Sequence, residues 1–282
     1  MEKVYIISVF NKHEDFIKLQ YDSILKHVKG EYEYIIFNNA SDEIQANKIK
    51  DICDDLNIQS YRIKVDYNMG PSDIAGEALN QSFNHLSDKL VFKIDSDMFF
   101  ISDIELTKIC NNYDLFYIET QNKFMWSAVF SINMKKVKNI KLNFRPHVIP
   151  NTDTFGQSCL LTENSEYTRK KMFLYCILTD VNNEINGLIN NDCRITLNNY
   201  NLTFNENFLY EDLFEKLPNK YSKISKTMVD YNFPHPYHID FITLDDVDVI
   251  IHFKSSNHDN IYRNLEYTEN KKIALTKFLN DN

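Results

Sequence analysis

Apolar residues in this chain fall into short β-branched runs separated by stretches of helical spacing. Val4 to Phe10 (VYIISVF) is the first run and predicts a buried strand. Asn11-Lys12-His13-Glu14 interrupts it. From Asp15 to Val28, Phe16, Leu19, Ile24 and Leu25 recur on one side, which predicts a helix stopped at Gly30. Tyr34 to Phe37 (YIIF) reads as a second strand. Ile44, Ile49, Ile52 and Leu56 mark a second helix, and Ser60 to Val65 a third strand. Such a β-α-β-α-β order predicts an α/β protein whose strands run parallel through right-handed crossovers. Ligands of these sheets bind beyond the carboxyl ends of the strands. The loops after Phe10, after Phe37 and after Ile94 all fall at that end.

The next run, LVFKIDSDMFFIS from Leu90 to Ser102, carries chemistry as well as hydrophobicity. Leu90, Val91, Phe92 and Ile94 suit a buried parallel strand. Asp95 and Asp97 arrive where the run ends. Were the chain fully extended there, residues two apart would share a face and the two carboxylates would converge. Carboxylates held that close repel unless a cation lies between them. All-oxygen ligands of this kind suit Mg²⁺ or Mn²⁺ with positions left open for substrate phosphates.

Further on, Phe124 to Met134 (FMWSAVFSINM) alternates like a strand, and Lys135, Lys136, Lys138 and Lys141 read as the solvated face of a helix. A polar loop, Asn151 to Gln157, opens a short helix at Ser158 to Leu161. Asp248 to Phe253 (DVIIHF) is the last clear strand, and Asn260 to Asn282 reads as a terminal amphipathic helix with Ile273, Leu275, Phe278 and Leu279. The segment Pro234-His235-Pro236-Tyr237-His238-Ile239-Asp240 has an H-x-x-H-x-D spacing. Its two prolines preclude the helix that would align such ligands for zinc.

Composition narrows the function. Among 282 residues, 40 Asp and Glu face 31 Lys and Arg, a formal charge of −9. No cationic excess exists to neutralise a nucleic-acid polymer. Five scattered cysteines, Cys53, Cys110, Cys159, Cys176 and Cys193, form no C-x-x-C pair, so neither a zinc ribbon nor a disulfide framework is expected. No apolar run approaches the ~18 residues of a membrane span, and MEKVYIISVF lacks the architecture of a signal peptide. The expected setting is the cytoplasm.

Four elements together resemble a known family. NASDE, after the second strand, is similar to the D-G-S-D element of glycosyltransferase family 2. Asn68-Met69-Gly70 followed by Ala78-Leu79-Asn80 is similar to its N-x-G…A-x-N stretch, and Asp95-Ser96-Asp97 to its D-x-D. Order and spacing agree from Val4 to about Ile101, the N-terminal third. The resemblance implies a GT-A, Rossmann-like fold: a mostly parallel central sheet flanked by helices, as a single domain over residues 1–259. Its first half, 1–102, would bind the nucleotide-sugar, its second, 103–259, would face the acceptor, and 260–282 would form a C-terminal helical extension. It further implies a nucleotide-sugar donor, UDP-linked by preference, Mn²⁺ or Mg²⁺ as cofactor, and a glycan or other hydroxyl acceptor.

Residue by residue, the resemblance assigns Phe10, Asn11, Asn39, Asn68, Asp95 and Lys254 to the nucleotide-sugar. Asn39 stands where the family has an Asp that receives the N3–H of the base, and its amide carbonyl can accept the same bond. An Asn there also suits capping of the following helix. Asp97 is the first choice as metal ligand, with Asp95 sharing the metal or holding the ribose. His252, at the end of a late strand, resembles the histidine that completes the metal site in many GT-A enzymes, with His258 the alternate and Lys254 placed to meet a diphosphate oxygen. Trp126 offers a flat ring to an acceptor sugar or fills the core. For the catalytic base of an inverting reaction, Asp153 comes first and Asp212, of the Glu211-Asp212 pair, second. Each has a plain structural alternative, Asp153 as a helix cap and Asp212 on the wet face of an amphipathic helix.

Three rivals remain. A haloacid-dehalogenase-type phosphatase also carries a strand followed by D-x-D, but its motif ends the first strand and bears Thr or Val where Phe99 stands. A nucleotidyltransferase would need a Gly-rich, Arg-bearing first loop in place of Phe10-Asn11-Lys12-His13. A non-catalytic sugar- or nucleotide-binding module, or a degenerate transferase, is kept open by the Asn at position 39 and by the absence of family 2 context after residue 101.

Overall fold

A computed structural model describes residues 1–119, 123–137, 142–146, 154–178, 194–196, 226–227, 230–233, 239–253 and 265–282. In chain order the first elements are β1 (Val4–Phe10), α1 (Asp15–His27), β2 (Tyr32–Asn38), α2 (Glu43–Asp55), β3 (Gln59–Arg62), α3 (Pro71–Asn84), β4 (Leu90–Ile94) and β5 (Met98–Phe100). There follow α4 (Leu106–Asn112), β6 (Leu115–Glu119), β7 (Met125–Asn133), α5 (Cys159–Thr162) and β8 (Arg169–Leu178). The chain continues through β9 (Arg194–Thr196), β10 (Ile239–Leu244), β11 (Val247–Phe253) and α6 (Leu265–Asp281). Two compact units result. The first comprises 1–96, 103–172 and 187–190, the second 97–102, 173–186 and 191–282.

In the first unit the strand order is β3-β2-β1-β4-β7-β6, followed by the first part of β8. The pairs β3·β2, β2·β1, β1·β4 and β6·β8 are parallel, whereas β4·β7 and β7·β6 are antiparallel. The expectation of a mostly parallel sheet is therefore corrected: the sheet is mixed. Parallel order holds as long as helices return the chain over the face, and fails where β6 and β7 pair directly without a crossover helix.

The helices cover this sheet with the residues their spacing dictates. Helix α1 buries Phe16, Ile17 and Ile24, and α2 buries Ala46, Ile49 and Cys53. Asp42 caps α2, its side chain accepting the N–H of Gln45 at 2.8 Å. Helix α3 opens with Gly70-Pro71 and presents Gly76 to the main chain of Phe144 and Arg145. A Cβ at Gly76 would meet Phe144 O at 2.6 Å and Arg145 Cα at 2.7 Å, so only glycine permits this approach. The seal is aromatic: Phe144 packs against Phe155 and Phe83 with ring centroids 4.2 and 4.5 Å apart, and Phe155 against Phe130 at 5.1 Å. Lys135 and Lys136 occupy a turn after β7 rather than a helix, where they pair with Glu2 and Asp114.

The second unit is built on antiparallel pairs, the latter part of β8 with β10, β10 with β11, and β11 with β5, while β9 lies parallel to β8. Helix α6 packs against this unit through its second half. Leu275 and Phe278 are buried, and the Phe278 ring lies 5.0 Å from Tyr231 and 6.3 Å from Phe241 of β10. Among the described residues, no helix is long and apolar enough to cross a membrane.

Candidate functional site

In the first unit, the parallel strands deliver their carboxyl ends as expected, and hydrogen bonds fix the loops there. Phe10 is fully buried, and its carbonyl accepts the N–H of Asn39 at 2.9 Å, tying the end of β1 to the residue after β2. Arg62 clamps the same loop from β3, donating to Asn38 O at 3.0 Å and Ala40 O at 2.7 Å. Asn38 donates to Ala46 O and receives the N–H of Ala40. Asn39 is thus held by its backbone. It is 4% exposed, and its Oδ1 has no hydrogen-bond partner among the described residues. Since Asp42 caps α2, the capping alternative for Asn39 falls away. A buried acceptor without a donor is costly unless a ligand supplies one.

Asn11 is exposed beyond β1. Asn68 is exposed as well, and both its backbone N–H and its side-chain amide donate to Asp66 Oδ1, at 3.0 and 2.9 Å, in a local turn. Asn80, from the same stretch of the resemblance, works structurally: its Oδ1 accepts the Phe144 N–H and its amide donates to Asn143. Trp126 is half-buried in β7.

Asp95 follows the last residue of β4, and the chain turns at Ser96–Asp97 before β5 begins. The segment is not extended, so strand alternation does not align the two carboxylates. It aligns Lys93 with Asp95 instead. Lys93 is buried within β4, and its ammonium pairs with the Asp95 carboxylate while donating to Ala128 O at 3.2 Å. The Asp95 carbonyl accepts from Gln20 Nε2 at 2.7 Å, and Gln20 in turn accepts from the Tyr34 hydroxyl at 2.6 Å. Sequence reading passed over Lys93, although a lone cation inside LVFKI was the available signal.

In the second unit, His252 of β11 lies between two neighbours. It stands opposite Asp240 in the β10·β11 register and opposite Met98 in the β11·β5 register. Its Nδ1 is 3.1 Å from Asp240 Oδ2 and its Nε2 3.6 Å from Asp97 Oδ1. The Phe253 N–H donates to Asp97 O at 2.8 Å, which extends the ladder to the turn and fixes Asp97 beside the imidazole. Asp97 and His252, far apart in sequence, are thereby brought together. Asp240 belongs to a strand, although the sequence placed it at the end of a proline-stiffened loop.

Asp153, Asp212, Lys254 and His258 lie outside the described residues. So does most of the Pro234–Asp240 segment, of which only Ile239 and Asp240 are described. Among the described residues, no group of three or more His, Cys, Asp or Glu side chains is set to hold a metal ion. Asp97 and His252 do fit one in chemistry: a carboxylate oxygen and an imidazole nitrogen, both metal-ligand types, lie 3.6 Å apart. Mn²⁺ and Mg²⁺ sites of nucleotide enzymes commonly use only one or two protein ligands, with substrate phosphates completing the shell.

No protein-family model matches the sequence, and no curated protein matches it. Among solved structures, the chain is similar to a mannosyltransferase from Pyrobaculum calidifontis in complex with GDP-Man and Mn²⁺, at 8% identity and a TM-score of 0.44, over 83% of this chain and 66% of that one. It is similar to S. aureus TarS in complex with UDP at 14% identity and a TM-score of 0.41, over 61% of this chain and 60% of that one. It is also similar to the bifunctional glycosyltransferase WbbM at 12% identity and a TM-score of 0.35, over 49% of this chain and 32% of that one. The chain spans from about a third to just under two thirds of the length of these proteins.

Proposed function

We propose that this chain is a metal-dependent glycosyltransferase that moves a sugar from a nucleotide-sugar, a UDP-sugar by preference, to a hydroxyl of a glycan or similar acceptor. The observation that carries this reading is the approach of His252 Nε2 to Asp97 Oδ1 at 3.6 Å. A carboxylate at the end of a D-x-D and a histidine from a late strand are the residues the resemblance assigns to the metal.

Asp97 and His252 hold Mn²⁺ or Mg²⁺ in this reading, and Asp95, already paired with Lys93, shares the metal or receives the ribose. When bound, the cation supplies Lewis-acid stabilisation to the leaving nucleoside diphosphate. The buried Oδ1 of Asn39 accepts the N3–H of a uracil-type base, with Phe10, Asn11 and Asn68 in the surrounding loops, and Lys254 meets a diphosphate oxygen. Trp126 stacks on the acceptor sugar. Asp153, with Asp212 second, takes the proton of the acceptor hydroxyl as that oxygen bonds to the anomeric carbon and the bond to the diphosphate breaks. Such a transfer inverts configuration.

Incubation with a panel of nucleotide-sugars tests the proposal. Nucleotide should be released from at least one donor only when Mn²⁺ or Mg²⁺ is present, and Asp97→Ala should abolish the release. Binding of nucleotide-sugar without any turnover over the panel and a range of acceptors would favour a binding module instead.

A further inference from the structure

We infer that Asp240 is a positioning residue: it fixes the ring of His252 so that Nε2, and not Nδ1, is presented toward Asp97. The inference rests on the metal-site reading above and adds to it a residue to which that reading assigns no part.

The argument begins with the register. Asp240 and His252 are directly opposed on the paired strands β10 and β11. Opposed residues project to the same face at a separation side chains can bridge. Asp240 is 1% exposed, and the His252 side chain 12%. A buried carboxylate is expensive unless it is paired or hydrogen-bonded. Its Oδ2 lies 3.1 Å from Nδ1 of His252. As a carboxylate it can only accept, so the proton of the bond belongs to Nδ1. The lone pair of the neutral ring then resides on Nε2, which faces Asp97 Oδ1 at 3.6 Å. A lone pair directed at an anionic oxygen is repulsive and favours a cation between them. Carboxylate–histidine pairs behind a metal commonly fix the tautomer and ring orientation in this way, and removing the rear carboxylate costs 10- to 100-fold in metal affinity.

The test uses the full chain and Mn²⁺ alone, with free Mn²⁺ read by its electron paramagnetic resonance. Asp240→Asn is near-isosteric, but its amide can donate to Nδ1 and shift the proton to Nε2. We expect Mn²⁺ affinity to fall about 10- to 100-fold, with the wild-type circular dichroism spectrum retained. We also expect the double variant Asp240→Asn/His252→Ala to bind no more weakly than His252→Ala alone, because Asp240 acts only through His252. Wild-type affinity in Asp240→Asn, or an undiminished further loss in the His252→Ala background, would overturn the positioning role. Failure of the metal-site reading looks different: the wild-type chain itself binds no Mn²⁺, or His252→Ala binds it as tightly as wild type.

A second measurement needs no variant at Asp240. With Cd²⁺ as a diamagnetic stand-in on the ¹⁵N-labelled wild-type chain, His252 should show a protonated Nδ1 and a metal-bound Nε2. Metal on Nδ1, or a proton on Nε2, would overturn the inference.

Discussion

Lys93 and Asp95, one residue apart on the same face at the end of β4, form an ion pair in which the cation is the buried partner. The Lys93 side chain is 3% exposed and that of Asp95 43%. Apart from Asp95, the hydrogen-bond acceptor given to its ammonium is the carbonyl of Ala128. Deleting Asp95 would strand a buried charge, so this acid carries structural weight. Breaking a buried pair costs about 3–5 kcal/mol. Because Asp95 is partly exposed, we expect about 2–3 kcal/mol for Asp95→Ala, a fall in Tm of roughly 5–10 °C. The double variant Lys93→Met/Asp95→Ala should recover most of that loss in thermal denaturation. Equal Tm values for Asp95→Ala and wild type would show that the pair does not hold β4.

Asn39 predicts the opposite balance between stability and binding. Its Oδ1 is buried and has no partner among the described residues, so Asn39→Ala removes an unsatisfied acceptor. Tm should stay constant or rise, while UDP affinity measured by calorimetry should fall about tenfold, the worth of one hydrogen bond. A variant that loses stability and keeps its UDP affinity would assign Asn39 to the fold.

How much of this was legible in the sequence differs between the units. The spacing of the first strands and helices reproduces β1, α1, β2 and α2 to within a few residues, because amphipathic periodicity is strong there. The direction of β6 and β7 was not legible, since pairing order is a long-range property that local hydrophobicity does not encode. The premise that Asp95 and Asp97 are extended together was mistaken because β4 stops at Ile94 and turns. Lys93 was overlooked because an apolar run was read for its hydrophobic members alone. Asp240 was hidden for a related reason. The prolines before it suggested a loop, and nothing local shows that the register of β10 sets it opposite His252.

His27 gives a prediction for pH. Its side chain is 8% exposed, and burial holds its imidazole below the ordinary value, against the opposing pull of the Asp103 carboxylate 3.2 Å away. The folded chain therefore binds this proton less readily than the unfolded chain. The stability tied to His27 is complete above the unfolded value near ~6.5 and is lost as pH falls from there through the lowered folded value. Tm should drop on acidification across that window, and His27→Gln should flatten the drop. A Tm that rises on acidification in wild type, or an unchanged slope in His27→Gln, would contradict this.

The choice between Asp153 and Asp212 is kinetic. A base that acts only in the transition state lowers kcat and kcat/KM together. Asp153→Asn should therefore reduce kcat by about 10²- to 10⁴-fold with little change in donor KM. If Asp212→Asn shows that pattern and Asp153→Asn does not, the base is Asp212.

The central claim is that Asp97 and His252 hold a divalent cation through which a nucleoside diphosphate is bound. Calorimetric titration of UDP and GDP into the wild-type chain and Asp97→Ala, each with and without Mn²⁺, tests it most directly. The account predicts that Mn²⁺ strengthens binding of at least one nucleotide to wild type, and that Asp97→Ala, with an unchanged circular dichroism spectrum, loses that dependence. Equal nucleotide affinity with and without Mn²⁺ in wild type, or full retention of the Mn²⁺ effect in Asp97→Ala, would contradict it.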